Sequence, residues 1–104
     1  MTQVHGLITI DTNNQNAIDE LKTHHIHIDD NTPIEVSVKL ALMKIYESVI
    51  IKSIANNTAE ISVMSHTNID YDRDVRFINT IKPIITKAHI VYHISNTSKR
   101  EINF

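Results

Sequence analysis

TPIEVSVKLALMKIYESVIIKSIANN, residues 32–57, is the stretch whose reading decides the fold. It opens on Thr32-Pro33-Ile34-Glu35, the spacing of a capping box with proline at the first helical position. In such a box the Thr32 side chain accepts from the Glu35 amide, and the Glu35 side chain accepts from the Thr32 amide. Val38, Leu42, Ile45 and Val49 follow at steps of four and three, and a second stripe runs through Ala41, Ile50, Ile51 and Ile54. The pattern predicts one long central helix, with an apolar face wide enough to be covered on more than one side. Asn56-Asn57 supplies the stop, because asparagine tolerates the left-handed backbone in place of glycine.

On the N-terminal side, residues 4–10 read as a strand of high apolar content, with Gly6 marking a bulge or a close packing contact. Asp11-Thr12-Asn13-Asn14 is a turn and cap cluster, and Ala17, Ile18 and Leu21 give a short helix over 16–22. Residues 24–29 alternate, with His24, Ile26 and Ile28 on one face and His25, His27 and Asp29 on the other, which predicts a half-buried strand.

On the C-terminal side, residues 59–65 alternate around Ile61 and Val63. A loop over 66–71 precedes a third helix, capped by Asp72 or Asp74 and carrying Val75, Ile78, Ile81 and Ile85. Pro83 should end or kink it near Lys82. Residues 89–95 read as a strand with Ile90, Tyr92 and Ile94 inward, then a turn at 96–99 and a short strand at 101–104. The expected order is β-α-β-α-β-α-β(-β). The expected fold class is α+β: a two-layer sandwich with a four- to five-stranded mixed sheet and three helices. Parallel pairs would be joined by right-handed crossovers, all within a single domain over residues 1–104.

Composition removes several function classes. The one glycine of the chain, Gly6, lies in an apolar run. A P-loop, a dinucleotide fingerprint and a nucleophile elbow each need two or more in a turn. The absence of cysteine excludes disulfide scaffolds, thiolate zinc sites and thiol nucleophiles. Ten basic residues against twelve acidic ones leave a net charge of -2, without the basic stripe that nucleic-acid binding requires. No tryptophan and 5% aromatics leave too few stacking platforms for single strands. No apolar run is long enough to span a membrane and the start MTQVHGLITID lacks a secretory pattern, so a cytoplasmic protein without a cofactor is expected.

Three constellations remain. His25, His27 and Asp29 share a face of the expected strand, and two imidazoles with a carboxylate suit zinc or a similar ion, or acid/base work. His89 and His93 share a face of another strand, two pleats apart. Asp70, Asp72 and Asp74 imitate the opening of a calcium loop, but Val75 and Ile81 stand where that loop needs glycine and glutamate. Tyr71 sits among these aspartates, and it is the tyrosine expected in water.

The functional expectation is a small non-catalytic binding protein of the inhibitor, immunity or adaptor type, such as phages and mobile elements encode. Asp70, Tyr71, Asp72 and Asp74 would form its partner-binding surface, the carboxylates steering a basic protein and Tyr71 anchoring it. The alternative is a small metal- or His-dependent enzyme built on His25, His27 and Asp29. Self-association through exposed terminal strands would make a homo-oligomer.

Overall fold

The computed structural model describes residues 3–24 and 26–104. Five strands form one antiparallel sheet: β1 (Gln3–Asp11), β2 (Ser48–Ala55), β3 (Thr58–Ser65), β4 (Ile85–His93) and β5 (Lys99–Asn103). Their order across the sheet is β2-β3-β1-β4-β5. Three helices, α1 (Gln15–Lys22), α2 (Ile34–Leu42) and α3 (Tyr71–Ile81), pack against one of its faces. The result is a two-layer α+β sandwich of five strands and three helices.

The order differs from expectation in two places. The first is the deciding stretch, which divides. Its first third is helical as α2, and its second half is the strand β2. The four-residue step from Ile45 to Val49 suits either reading, but residues 48–55 are rich in β-branched side chains that crowd a helix and suit a pleated sheet. Asn56 and Asn57 do adopt the left-handed backbone, at φ 52° and 64°. They form the two-residue turn of the β2–β3 hairpin, with Ala55 paired to Thr58 across it, and not a helix end.

The second is the segment around 24–29. Residues 26–29 join no ladder, and His25 lies outside the described residues. Ile26 and Ile28 are half-buried against the core while His27 and Asp29 are exposed, so the alternation is real without being a strand. With no strand there, α1 is followed directly by α2, and the mixed sheet with parallel pairs gives way to antiparallel pairing throughout. The chain then runs β-α-α-β-β-α-β-β. Without β5, and with α1 and α2 together taken as one crossover, the connectivity is the β-α-β-β-α-β interleaved arrangement.

Local signals explain most of the boundaries. Asn14 caps α1, its side chain accepting from the Ala17 amide at 3.1 Å. α2 begins after Pro33 with no side-chain cap. The Thr32 amide that a capping box would offer to Glu35 donates instead to the Asp29 carbonyl. α3 is capped by Asp70, not by Asp72 or Asp74. It ends at Ile81, and Pro83 lies in the 3-10 turn Lys82–Ile84 that follows.

Val4, Ile8 and Ile10 on β1, Ile61 and Val63 on β3 and Ile90 and Tyr92 on β4 point into the core, with Leu21, Val38, Leu42, Ile78 and Ile81 from the helices. Ile94, expected inside, is past the end of β4 and 41% exposed. Gly6 marks a close contact: a Cβ there would sit 2.5 Å from the His89 carbonyl oxygen and 2.6 Å from the Ile90 Cα. The β1–β4 register shift lies elsewhere, between Thr9 and Ile10.

Candidate functional site: the open face and the β2 edge

With the helices on one side, the other face of the sheet is open. Strand alternation places His5, Leu7 and Thr9 of β1 on it, between Ser62 and Glu60 of β3 and Lys87, His89 and Val91 of β4. These residues and Lys52 line a shallow depression of about 550 Å³. Leu7, Ile50 and Met64 are 40%, 56% and 39% exposed, so apolar and ionisable groups share this face.

Two histidine contacts organise its far side. The His5 and His93 ring planes are inclined at 23°, with centroids 5.2 Å and Nε2 atoms 3.1 Å apart. His89 Nε2 lies 2.6 Å from Glu101 Oε1 on β5. That hydrogen bond holds the Glu101 carboxyl below its ordinary value, with a smaller push from Lys99.

The two edges of the sheet differ in chemistry. β5 is five residues long and carries Lys99, Arg100 and Glu101, charges that discourage pairing with another chain. β2 is eight residues long and holds one charge, Lys52, at the register shift between Ile51 and Ser53. Ile50 and Ile54 on it are 56% and 58% exposed.

The expected acidic surface is only partly at the surface. Asp70 and Asp72 are exposed, but Asp70 is engaged as the α3 cap. Asp74 is 1% exposed and belongs to the core. It accepts from Tyr92 Oη at 2.7 Å and from Arg73 Nε at 3.0 Å. Tyr92 has one proton and gives it to Asp74, so the Tyr46 hydroxyl, 2.8 Å away, is the donor to Tyr92. Burial pushes the Asp74 carboxyl above its ordinary value, the two hydrogen bonds pulling against it. Burial likewise raises the Tyr46 and Tyr92 hydroxyls.

Tyr71 is not the free tyrosine that the loop reading expects. It starts α3 and meets Tyr92 edge-on at 5.1 Å, with the Arg100 guanidinium 5.0 Å from its ring centroid. Its hydroxyl donates to the Glu101 carbonyl at 3.2 Å. It therefore packs against the core, and four residues within five positions split between cap, core and solvent.

His27 and Asp29 line a second groove of about 430 Å³ between residues 26–32, α2 and Phe77 of α3. The Asp29 carboxylate accepts from the Asn31 amide, an Asx turn. Among the described residues, no three His, Asp or Glu side chains are grouped as a metal-binding cluster. His25 lies outside the described residues.

The chain matches no family model, no curated protein and no solved structure. None of the described helices is long and apolar enough to cross a membrane.

The sequence reading missed the buried Tyr46–Tyr92–Asp74 network, which joins three separate segments and has no local signature. It also missed the His5–His93 contact, although the shared parity of His89 and His93 was visible. The missing information was that β4 lies beside β1.

Proposed function

We propose that this chain is a small, non-catalytic cytoplasmic protein of the inhibitor, immunity or adaptor type, and that it receives an extended segment of a partner protein on β2. The observation that carries this reading is the contrast between the two sheet edges. β5 is short and charged, whereas β2 is long, apolar and exposed at Ile50 and Ile54. An unprotected edge offers unpaired backbone groups, and a partner strand laid along it gains main-chain hydrogen bonds. The bulge at Lys52 interrupts the ladder, so the regular residues 48–51 would form the main docking run, with Ile50 as its outward apolar contact.

The reading is tested with a charge on the edge. Ile50→Lys changes an exposed side chain and should leave the melting temperature near that of the wild type. A partner recovered with the wild type should be lost with Ile50→Lys and kept with Asp72→Asn. Hydrogen exchange on the complex should slow at β2 amides. Capture that survives Ile50→Lys, with β2 amides unprotected, would remove the edge from the interface.

A further inference from the structure

We infer that His5 and His93 form a two-histidine chelating site for a divalent transition-metal ion of the kind that imidazole prefers, such as Zn²⁺ or Cu²⁺. The two side chains come from neighbouring strands near one end of the β1–β4 ladder. There His5 pairs with Val91, and Gln3 pairs with His93. Both project onto the open face, where no helix covers them.

The geometry suits the ion. Their Nε2 atoms are 3.1 Å apart. Two nitrogens bound to a tetrahedral zinc at about 2.0–2.1 Å stand about 3.3–3.4 Å from each other, so the nitrogens part by only a few tenths of an ångström while the rings turn to aim both lone pairs at the ion. Both rings also face each other through the same type of nitrogen. Without metal, one Nε2–H donates to the other Nε2. For both to ligate, that proton moves to Nδ1 of the same ring, a change of tautomer that leaves both imidazoles neutral.

The surroundings make this pair separate from the third histidine of the face. His89 is engaged by Glu101, and it shares the face with His93 four residues earlier in β4. Lys99 stands opposite His93 on β5 and opposes a cation there, while Glu101, two residues further on, offsets it. No cluster of three protein ligands exists among the described residues, so the remaining coordination positions belong to water. An exposed site of this kind takes up metal reversibly. Because its ligands sit on two strands, a bound ion also clamps β1 to β4. This site is independent of the partner reading, since β2 lies beyond β3 on the other side of β1.

The test is calorimetric titration of the untagged full chain with copper(II) chloride and zinc chloride in a non-coordinating buffer. Wild type should bind one ion per chain. His5→Gln and His93→Gln should each weaken binding at least about tenfold, while His27→Gln should leave it unchanged. Thermal melts without metal establish that each variant is folded. At a metal concentration about one hundred times the Kd, the wild-type melting temperature should rise by about 5 °C or more, and that rise should vanish in both variants. Electron paramagnetic resonance of the copper form should show coupling to imidazole nitrogen. The inference is overturned by no saturable uptake in the wild type, by uptake that both variants retain, or by uptake lost in His27→Gln.

Discussion

Tyr92 donates its hydroxyl proton to the carboxylate of Asp74 across 2.7 Å, in a core where each residue is 1% exposed. The carboxylate is also bonded to Arg73 Nε, and Tyr92 in turn accepts from Tyr46. One polar chain thus ties α3, β4 and the segment before β2 together, and no buried side-chain polar atom among the described residues lacks a partner.

Removing the carboxylate from that chain should be costly. Asp74→Ala leaves Tyr92 without its acceptor and Arg73 without its counter-charge, and should destabilise by about 3–5 kcal/mol in urea unfolding. Tyr92→Phe removes one hydrogen-bond donor and should cost about 1–3 kcal/mol. If Asp74→Ala is nearly neutral, the network is not holding the core.

The pH dependence should show two opposite signs. Asp74 binds its proton more tightly folded than unfolded, so its contribution is full at acid pH and lost as the pH rises through its raised folded value. Glu47 accepts from the His66 and Thr67 amides, which lowers its value. Its contribution is present above the unfolded value and lost as the pH falls through the folded one. Urea midpoints should be measured from about pH 3 to 8, a range that brackets the ordinary carboxylate values. Relative to the wild type, Glu47→Gln should show a shallower acid-side loss, and Asp74→Asn a smaller decline as the pH rises.

The caps should divide cleanly. Asp70→Ala and Asn14→Ala each remove an acceptor from a helix N-terminus and should cost about 1 kcal/mol. Thr32→Ala should stay within about 0.5 kcal/mol, because α2 has no side-chain cap. A loss of about 1 kcal/mol for Thr32→Ala would restore the capping box.

Gly6 should tolerate no side chain. Gly6→Ala places a methyl group against the His89 carbonyl and Ile90, both in β4, and neither is a flexible side-chain tip. The loss should be about 1–3 kcal/mol or more by thermal melt, as for an overpacked core. A variant as stable as the wild type would mean that β1 and β4 can move apart freely there.

The hairpin should respond to backbone conformation. Asn56 and Asn57 both have positive φ, and the Asn57 carbonyl accepts from the Thr12 amide at 2.8 Å. Asn57→Gly suits the same turn and should hold or raise stability. Asn57→Val, a β-branched residue in a left-handed position, should lower it by about 1–2 kcal/mol. Equal stability of the two variants in urea would contradict the turn.

Local chemistry determined much of this protein. The apolar run at 4–10, the alternation at 59–65, the cap at Asn14, the stop at Pro83 and the left-handed asparagines are each decided by a few adjacent residues. Their physical cause, a pleat, a cap or a ring that lacks an amide hydrogen, acts over that same range. The class of fold followed from them. Tertiary structure decided what adjacent residues cannot. Apolar spacing over 45–54 is compatible with a helix, and the β-branched side chains there lean towards a strand; the helix gives way because β3 lies across the asparagine turn to pair with β2. The apolar alternation at 26–28 becomes a half-buried loop because no strand pairs with it. Asp74 left the expected acidic surface because Tyr92, eighteen residues later, meets it in the core. His5 and His93 met for the same reason: strand pairing brings together residues 88 positions apart, and nothing local to either one encodes it.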